Sequence, residues 1–386
     1  FNGSASDLTL DHSTVSMNAV LGIFACHVNI GATISIVDIT NSSLNASSSY
    51  CGGLIGQSAN NINVSLSGVD VTNTNITGGL AGGIIGYPQG ATTISNCHYN
   101  GGTITSNSQY TGGIAGATGS GKAIEISDCS VKNATITSAY NRCGGVIGAM
   151  RNGTAIVRTT VGESESNVTI TITGSDACYT GGFIGLMEGG TISDNCKAYV
   201  NLTGVKTSIG GFIGRMTAGS VSGCKSYGEV SGPGTIGGFI GDVTGASGIT
   251  LSDNESNCNV TATSRYVGGF VGYLKGSTSV SGCSYKTGKV WSNLGSGECY
   301  IGGFAGYIGT KSEAFTGTIS SCLVSGAIVD AVKYKDDGVT AQSSGGWVGG
   351  FAEGIGHSTY ANNTGIIQLC RVHNTPVSGG AYCGIS

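Results

Sequence analysis

Gly210-Gly211-Phe212-Ile213-Gly214 returns 27 residues later as Gly237-Gly238-Phe239-Ile240-Gly241, and again as Gly268-Gly269-Phe270-Val271-Gly272. The same frame, a glycine pair, two apolar residues and a third glycine, stands at Gly52–Gly56, Gly82–Gly86, Gly112–Gly116, Gly144–Gly148, Gly181–Gly185 and Gly302–Gly306. A tenth copy ends in Glu353 where the others have glycine, and an unfinished eleventh is read at Gly379. Successive starts lie 27 to 47 residues apart, most of them close to 30. A period of that size marks a stack of supersecondary units, each burying its apolar face only against its neighbours.

Between frames the chain keeps a second anchor, an apolar residue followed by Ser-x-Cys, at Ile94–Cys97, Ile126–Cys129, Val221–Cys224, Val280–Cys283 and Ile319–Cys322. A third segment rich in Thr, Val and Ile follows, as at Thr103–Thr105, Thr135–Thr137 and Thr169–Thr173. Each segment alternates with period two between Gly, Asn, Asp and Ser, as strands do, and no stretch holds a helical period with caps. Three short strands per unit of ~30 residues, about ten times over, predict an all-β chain folded as a parallel β-helix. Residues 1–50 read as atypical N-terminal coils or an assembly segment, with Leu21–Cys26 a worn copy of the frame. Residues 51–386 read as the solenoid, with a long insertion at about 311–348 and an incomplete last coil at 379–386.

The two anchors together resemble the GLUG repeat family, over about residues 50–355. That resemblance implies an extracellular surface protein, an adhesin or a wall-associated segment, and no enzymatic activity of the repeats themselves. Composition points the same way. Seventy glycines, three prolines and 10% charged residues exclude an ordinary helical enzyme and a typical disordered chain. A net charge of −4 without a basic cluster excludes nucleic acid as a partner. No apolar run is long enough to span a membrane as a helix. Twelve asparagines stand in Asn-x-Ser/Thr sequons: Asn2, Asn41, Asn45, Asn63, Asn75, Asn133, Asn152, Asn167, Asn201, Asn254, Asn259 and Asn362. With 14 cysteines they predict a secreted chain carrying N-linked glycans.

If the frame is one continuous strand, its first apolar residue faces the core. That makes Leu54, Ile84, Phe183, Phe212, Phe239, Phe270, Phe304 and Phe351 a buried ladder. The opposite face then carries Ile55, Ile85, Ile147, Ile184, Ile213, Ile240 and Val271, followed by Gln57, Arg215 and Asp242, which must reach water. An exposed apolar stripe of that length is foreign to monomers. Either another chain covers it, or the glycine pair bends the backbone and buries both positions.

The cysteines fall into two sets. Cys97, Cys129, Cys196, Cys224, Cys258, Cys283, Cys322 and Cys370 end second strands, whereas Cys51, Cys143, Cys178, Cys299 and Cys383 adjoin glycine pairs. Disulfides between neighbouring coils or from one set to the other are one expectation, with Cys129–Cys143, Cys283–Cys299 and Cys370–Cys383 the preferred local pairs, and a ladder of reduced buried thiols is the other. No catalytic, cofactor or metal set emerges. His12, His27, His98, His357 and His373 hold unrelated places in the repeat, and CxxC and HxxH pairs are absent. The acids are scattered except for Asp330, Lys333, Lys335, Asp336 and Asp337, which read as a solvated loop. A structural role follows: a subunit of a glycosylated surface filament, self-associating head-to-tail or laterally. The alternative is an adhesin stalk that binds a glycan or protein, and a polysaccharide-active enzyme comes third.

Overall fold

The structure, a computed structural model, describes Gly3–Gly384 apart from residues 48, 164–167, 175–177, 206, 264–265, 293–298, 310–313, 331, 335–340, 345–346, 356–363 and 379–381. Every regular element among the described residues is a β-strand. Successive coils pair parallel and in register, as Thr103, Ile104 and Thr105 do with Thr135, Ile136 and Thr137. The chain divides into two compact units, Phe1–Asn201 and Leu202–Ser386. Each is a parallel β-solenoid, and together they hold about ten turns.

One coil of the first unit shows how the sequence makes the turn. Tyr50–Gly52 enters the bend at Gly53 and Leu54, and Ile55–Ser58 leaves it. Asn63–Thr72 forms the far side, and Asn75–Gly82 returns to the next glycine pair. Two corners are single residues in the left-handed region, Gly68 at φ 61° and Asn73 at φ 49°. The Gly68 corner recurs at Asp7, Ile36, Asn96, Asp128, Arg158 and Asn195, and in the second unit at Gly223, Asp253, Gly282, Ser321 and Leu369. Asn, Asp and Gly dominate these positions because left-handed backbone costs other residues about 1 kcal/mol or more. Between corners, like stacks on like inside: Ile34, Leu66, Ile94, Ile126 and Ile156 form one unbroken buried column.

The glycine frame is not one strand: of the two expected alternatives the bend that buries both positions is the one realised, and no outer stripe forms. Ile55, Ile85, Ile147, Ile184, Ile213, Ile240 and Val271 are all at most 1% exposed, and so are Leu54, Ile84, Phe183, Phe212, Phe239, Phe270 and Phe304. Phe351 is 5% exposed. The amides of Phe212 and Ile213 both donate to the Phe239 carbonyl, and those of Phe239 and Ile240 both donate to Phe270. One carbonyl can receive two successive amides only where the chain turns between them, so parity breaks and both side chains enter the core. Glycine is required for this. A Cβ on Gly210 would lie 1.9 Å from the Ile213 carbonyl oxygen, and one on Gly211 would lie 2.1 Å from that of Gly238. The phenylalanines stack ring on ring, at 4.7 Å for Phe212–Phe239, 5.0 Å for Phe239–Phe270 and 4.8 Å for Phe270–Phe304. That spacing is the strand-to-strand distance of a sheet.

Three boundaries shift. In the region read as atypical, Gly3–Asp11 pairs with Ala32–Thr40, and Leu21, Gly22 and Ala25 lie opposite Cys51, Gly52 and Ile55. The first 50 residues therefore continue the coil register without the second glycine. The expected insertion at 311–348 shrinks, because Thr318–Ser320, Leu323–Ser325 and Ile328–Asp330 are ordinary coil strands. What departs is a hairpin in which Val332–Tyr334 pairs antiparallel with Ala341–Ser344. In the last coil Tyr382, Cys383 and Gly384 pair with Trp347, Val348 and Gly349. Gly384, not Gly379, is thus the counterpart of the frame's first glycine.

A candidate ligand-binding face beside the glycine bend

None of the expected disulfides forms: Cys129, Cys143, Cys283 and Cys370 are free thiols, Cys299 donates to the Ser292 hydroxyl at 3.2 Å, and the Cys383 side chain lies outside the described residues. Cys129 follows the left-handed corner whereas Cys143 sits next to a glycine pair, so stacking sets Cys129 beside Cys97 and Thr159, and Cys143 beside Thr111 and Thr180. The corner thiols donate to the carbonyl two residues earlier, Cys97 to Ser95 at 3.3 Å, Cys129 to Ser127 at 3.2 Å, Cys283 to Ser281 at 3.4 Å and Cys322 to Ser320 at 3.4 Å, and Cys196, after a corner one residue longer, to Ser193 at 3.2 Å. Where the column lacks cysteine, Thr159 makes the same bond to Val157 at 3.0 Å. The cysteines are small buried donors that close a turn. Burial pushes the Cys51, Cys258 and Cys283 thiols up to about 12.

The column also displaces one sequon. Cys224 and Cys283 flank Asn254, while Cys258 pairs with Gly228 in another column. Asn254 is 1% exposed, its Nδ2 donates to the Val221 carbonyl at 2.8 Å, and its Oδ1 accepts from the Cys224 amide at 3.0 Å. No glycan fits on it in the folded chain. Asn41, Asn45, Asn63, Asn75, Asn133, Asn152 and Asn259 are exposed and Asn201 is half-buried. Asn2, Asn167 and Asn362 lie outside the described residues, as do Lys335 and Asp336 with Asp337. Asp330 is not a loop residue: it is 4% exposed and accepts a hydrogen bond from Ser378 at 2.9 Å. Among the described residues no three His, Cys, Asp or Glu converge as a metal site, and no helix is long and apolar enough to cross a membrane.

The feature that the sequence reading missed is the residue two before each glycine pair. In the first unit these are Tyr50, Leu80, Tyr110, Arg142 and Tyr179, stacked in register. In the second unit Tyr266, Tyr300 and Trp347 stack likewise. Across the bend a second ladder runs beside the first. It carries Gln57, Tyr87, Ala117, Ala149 and Leu186 in one unit, and Arg215, Asp242, Tyr273 and Tyr307 in the other. The sharp bend folds the two ladders together on the outside of the coil. Tyr50 lies 5.4 Å from Tyr87, Tyr266 lies 5.3 Å from Tyr273, and Tyr300 lies 5.1 Å from Tyr307, centroid to centroid. Tyr50, Tyr87 and Tyr110 pack half-exposed over Leu80, Ala117 and Ala149. Aligning the repeats on their glycine pairs exposes this signal in the sequence at once.

Charge is threaded through both bands. In the first unit the Arg142 guanidinium carbon lies 5.0 Å from the Tyr110 ring centroid and 5.9 Å from that of Tyr179, and its Nη1 donates to the Tyr110 hydroxyl at 2.6 Å. Arg151 pairs with Glu188 at 3.1 Å. A depression of about 180 Å³ adjoins Tyr87, lined by Asn60, Gln89, Gly119, Ser120 and Lys122. In the second unit Arg215 Nε lies 3.6 Å from Asp242 Oδ2, and Lys275 Nζ sits 4.9 Å over the Tyr273 ring. Burial raises Asp242 to about 6, against the pull of Arg215 and Lys275.

No protein-family model and no curated protein matches the chain. Among solved structures it is similar to a Bacteroides ovatus protein described as a putative immunoglobulin A1 protease, at 13% identity and a TM-score of 0.34, over 89% of this chain and 78% of that one. At that level the likeness bears on neither fold nor activity.

Proposed function

We propose that the chain is a non-catalytic, extracellular β-solenoid that presents its aromatic bands to glycans, the adhesin role rather than the filament role. The observation that supports this is the placing of tyrosine and tryptophan at outward positions that the core does not require. The outward column of Thr33, Ser65, Thr93 and Glu125, by contrast, is polar. Partly exposed rings, mixed with carboxylate, guanidinium and amide groups, offer a sugar both apolar faces and hydrogen bonds. The filament role loses its lateral surface, because the second apolar position of every frame is buried. The extracellular setting draws on the seven exposed sequons; thiols that serve as turn donors no longer argue for an oxidising compartment.

An array of neutral and acidic oligosaccharides probed with the whole chain tests this. Retention of at least one saccharide class is expected, weakened about tenfold or more, ~1.4 kcal/mol, by the double substitutions Tyr87→Ala/Tyr110→Ala or Tyr300→Ala/Tyr307→Ala. Denaturation curves of the variants would show them folded. Absence of retention in the wild type, or equal retention in both variants, ends the proposal.

A further inference from the structure

We infer that Arg142 is a carboxylate-recognising residue, so that the glycan taken by the first unit's band is an acidic one, bearing a uronate or sialate group. This rests on the glycan reading and names the chemistry of its ligand.

Arg142 is the residue that breaks an otherwise neutral ladder. Its in-register neighbours are Tyr110 and Tyr179, and the facing ladder at that level is Ala149 and Leu186. A guanidinium keeps its charge at all physiological pH and prefers planar, two-oxygen partners. Here no carboxylate among the described residues pairs with it; its Nε is enclosed by protein and unpartnered, so an incoming carboxylate is met by the terminal Nη groups. The acid on the same face, Glu188, is held by Arg151 at 3.1 Å. Tyr110 satisfies one Nη1 proton and both rings shield the guanidinium faces, which leaves the remaining edge of a half-buried cation without a counter-charge among the described residues. A half-buried charge without its opposite is costly, and a charge-assisted bond from an incoming carboxylate relieves that cost.

The pattern of charge selects the ligand class. A polyanion such as nucleic acid calls for rows of cations. Arg151 is held by Glu188 and Lys122 donates to Asn61, so Arg142 stands as an isolated cation between neutral rings, which suits a ligand whose carboxylates are themselves separated by uncharged rings. Tyr87 and Tyr110, held down by the Leu80–Ala117–Ala149 cluster, flank the position where those rings would lie.

The test measures binding of the whole chain to oligogalacturonate, to its carboxyl-reduced neutral counterpart, to sialyllactose and lactose, and to polyglutamate. The expected result is that one acidic saccharide binds about tenfold or more tighter than its own neutral form. Arg142→Gln should bring the two affinities together, and Arg142→Lys should restore part of the gap, with unchanged denaturation midpoints confirming the fold. The sialate and uronate arms tell which acid is read. Equal binding of acidic and neutral forms, or a preference that survives in Arg142→Gln, overturns the inference while leaving glycan binding in place. Binding of polyglutamate as tightly as the saccharide overturns it in favour of an acidic peptide. Binding of no saccharide at all removes this inference and the glycan reading together.

Discussion

Asp242 carries a charge that the fold works against. It is 13% exposed, Oδ1 has no partner, and Arg215 reaches Oδ2 only at 3.6 Å, with Lys275 and the Tyr273 ring alongside. Burial lifts its acid from an ordinary value of 3.8 to about 6. Between these limits the folded chain holds a proton that the unfolded chain has released, so this group's contribution to stability falls as pH rises through the window. It is fully present below about 4 and lost above about 6. A two-unit shift corresponds to roughly 3 kcal/mol at most, and partial solvent access lowers it to on the order of 2. Asp242→Asn should therefore stabilise the chain by that amount at pH 7.5 and by almost nothing at pH 3.5, read from denaturant midpoints at both values. A variant no more stable at pH 7.5 than the wild type would mean that the cations fully compensate the charge. Retention of an unfavourable buried acid is a mark of sites used for binding.

At the scale of the coil, the glycine bend and the phenylalanine ring are one device. The bend turns two consecutive side chains inward, and the ring fills the space opened inside it. Phe239→Ala should cost about 3–5 kcal/mol, the range for a fully buried aromatic, with the loss felt also by the coils of Phe212 and Phe270 that stack on it. Gly238→Ala should cost a similar amount for a different reason: its new Cβ would stand 2.2 Å from the Gly269 carbonyl oxygen, which no side-chain rotation relieves. Amide exchange would separate the two, because the alanine at 238 breaks the amide-to-carbonyl bond between Gly238 and Gly268, whereas the alanine at 239 leaves it intact. Much of this device was legible in the sequence: the period, the parallel coil and the first apolar ladder all follow from the recurring frame. The parity of the second ladder was not, because alternation predicts direction only along an unbroken strand, and the amides of Ile213 and Phe212 share one acceptor. The aromatic band escaped for a related reason. Tyr110, Arg142 and Tyr179 are 32 and 37 residues apart, and only the register of the coils makes them neighbours.

On the scale of the whole molecule, the thiols decide between two accounts of its stability. Solenoid coils add their stabilities through nearest-neighbour contacts, so cross-links between coils would tie together elements that otherwise open one at a time. The corner column shows no need of such links: Thr159 and Asn254 replace cysteine there and meet the same turn through hydrogen bonds. Among the described residues eleven cysteines are buried away from reagent, and burial pushes the thiols of Cys51, Cys258 and Cys283 up, which makes these three slow to form the reactive thiolate. Exposed Cys26 and partly exposed Cys370 are the exceptions. Alkylation of the native chain without reductant should thus label Cys26 and Cys370 first, and unfolding in denaturant should release the buried set together, coil by coil rather than in one step if the coils open independently. Intact mass after alkylation counts the labels. A chain that takes no further label in denaturant until a reductant is added would carry disulfides, and the thiol column would then be a series of inter-coil links, with Cys97 to Cys129 the first to look for, since the two occupy the same place on neighbouring coils.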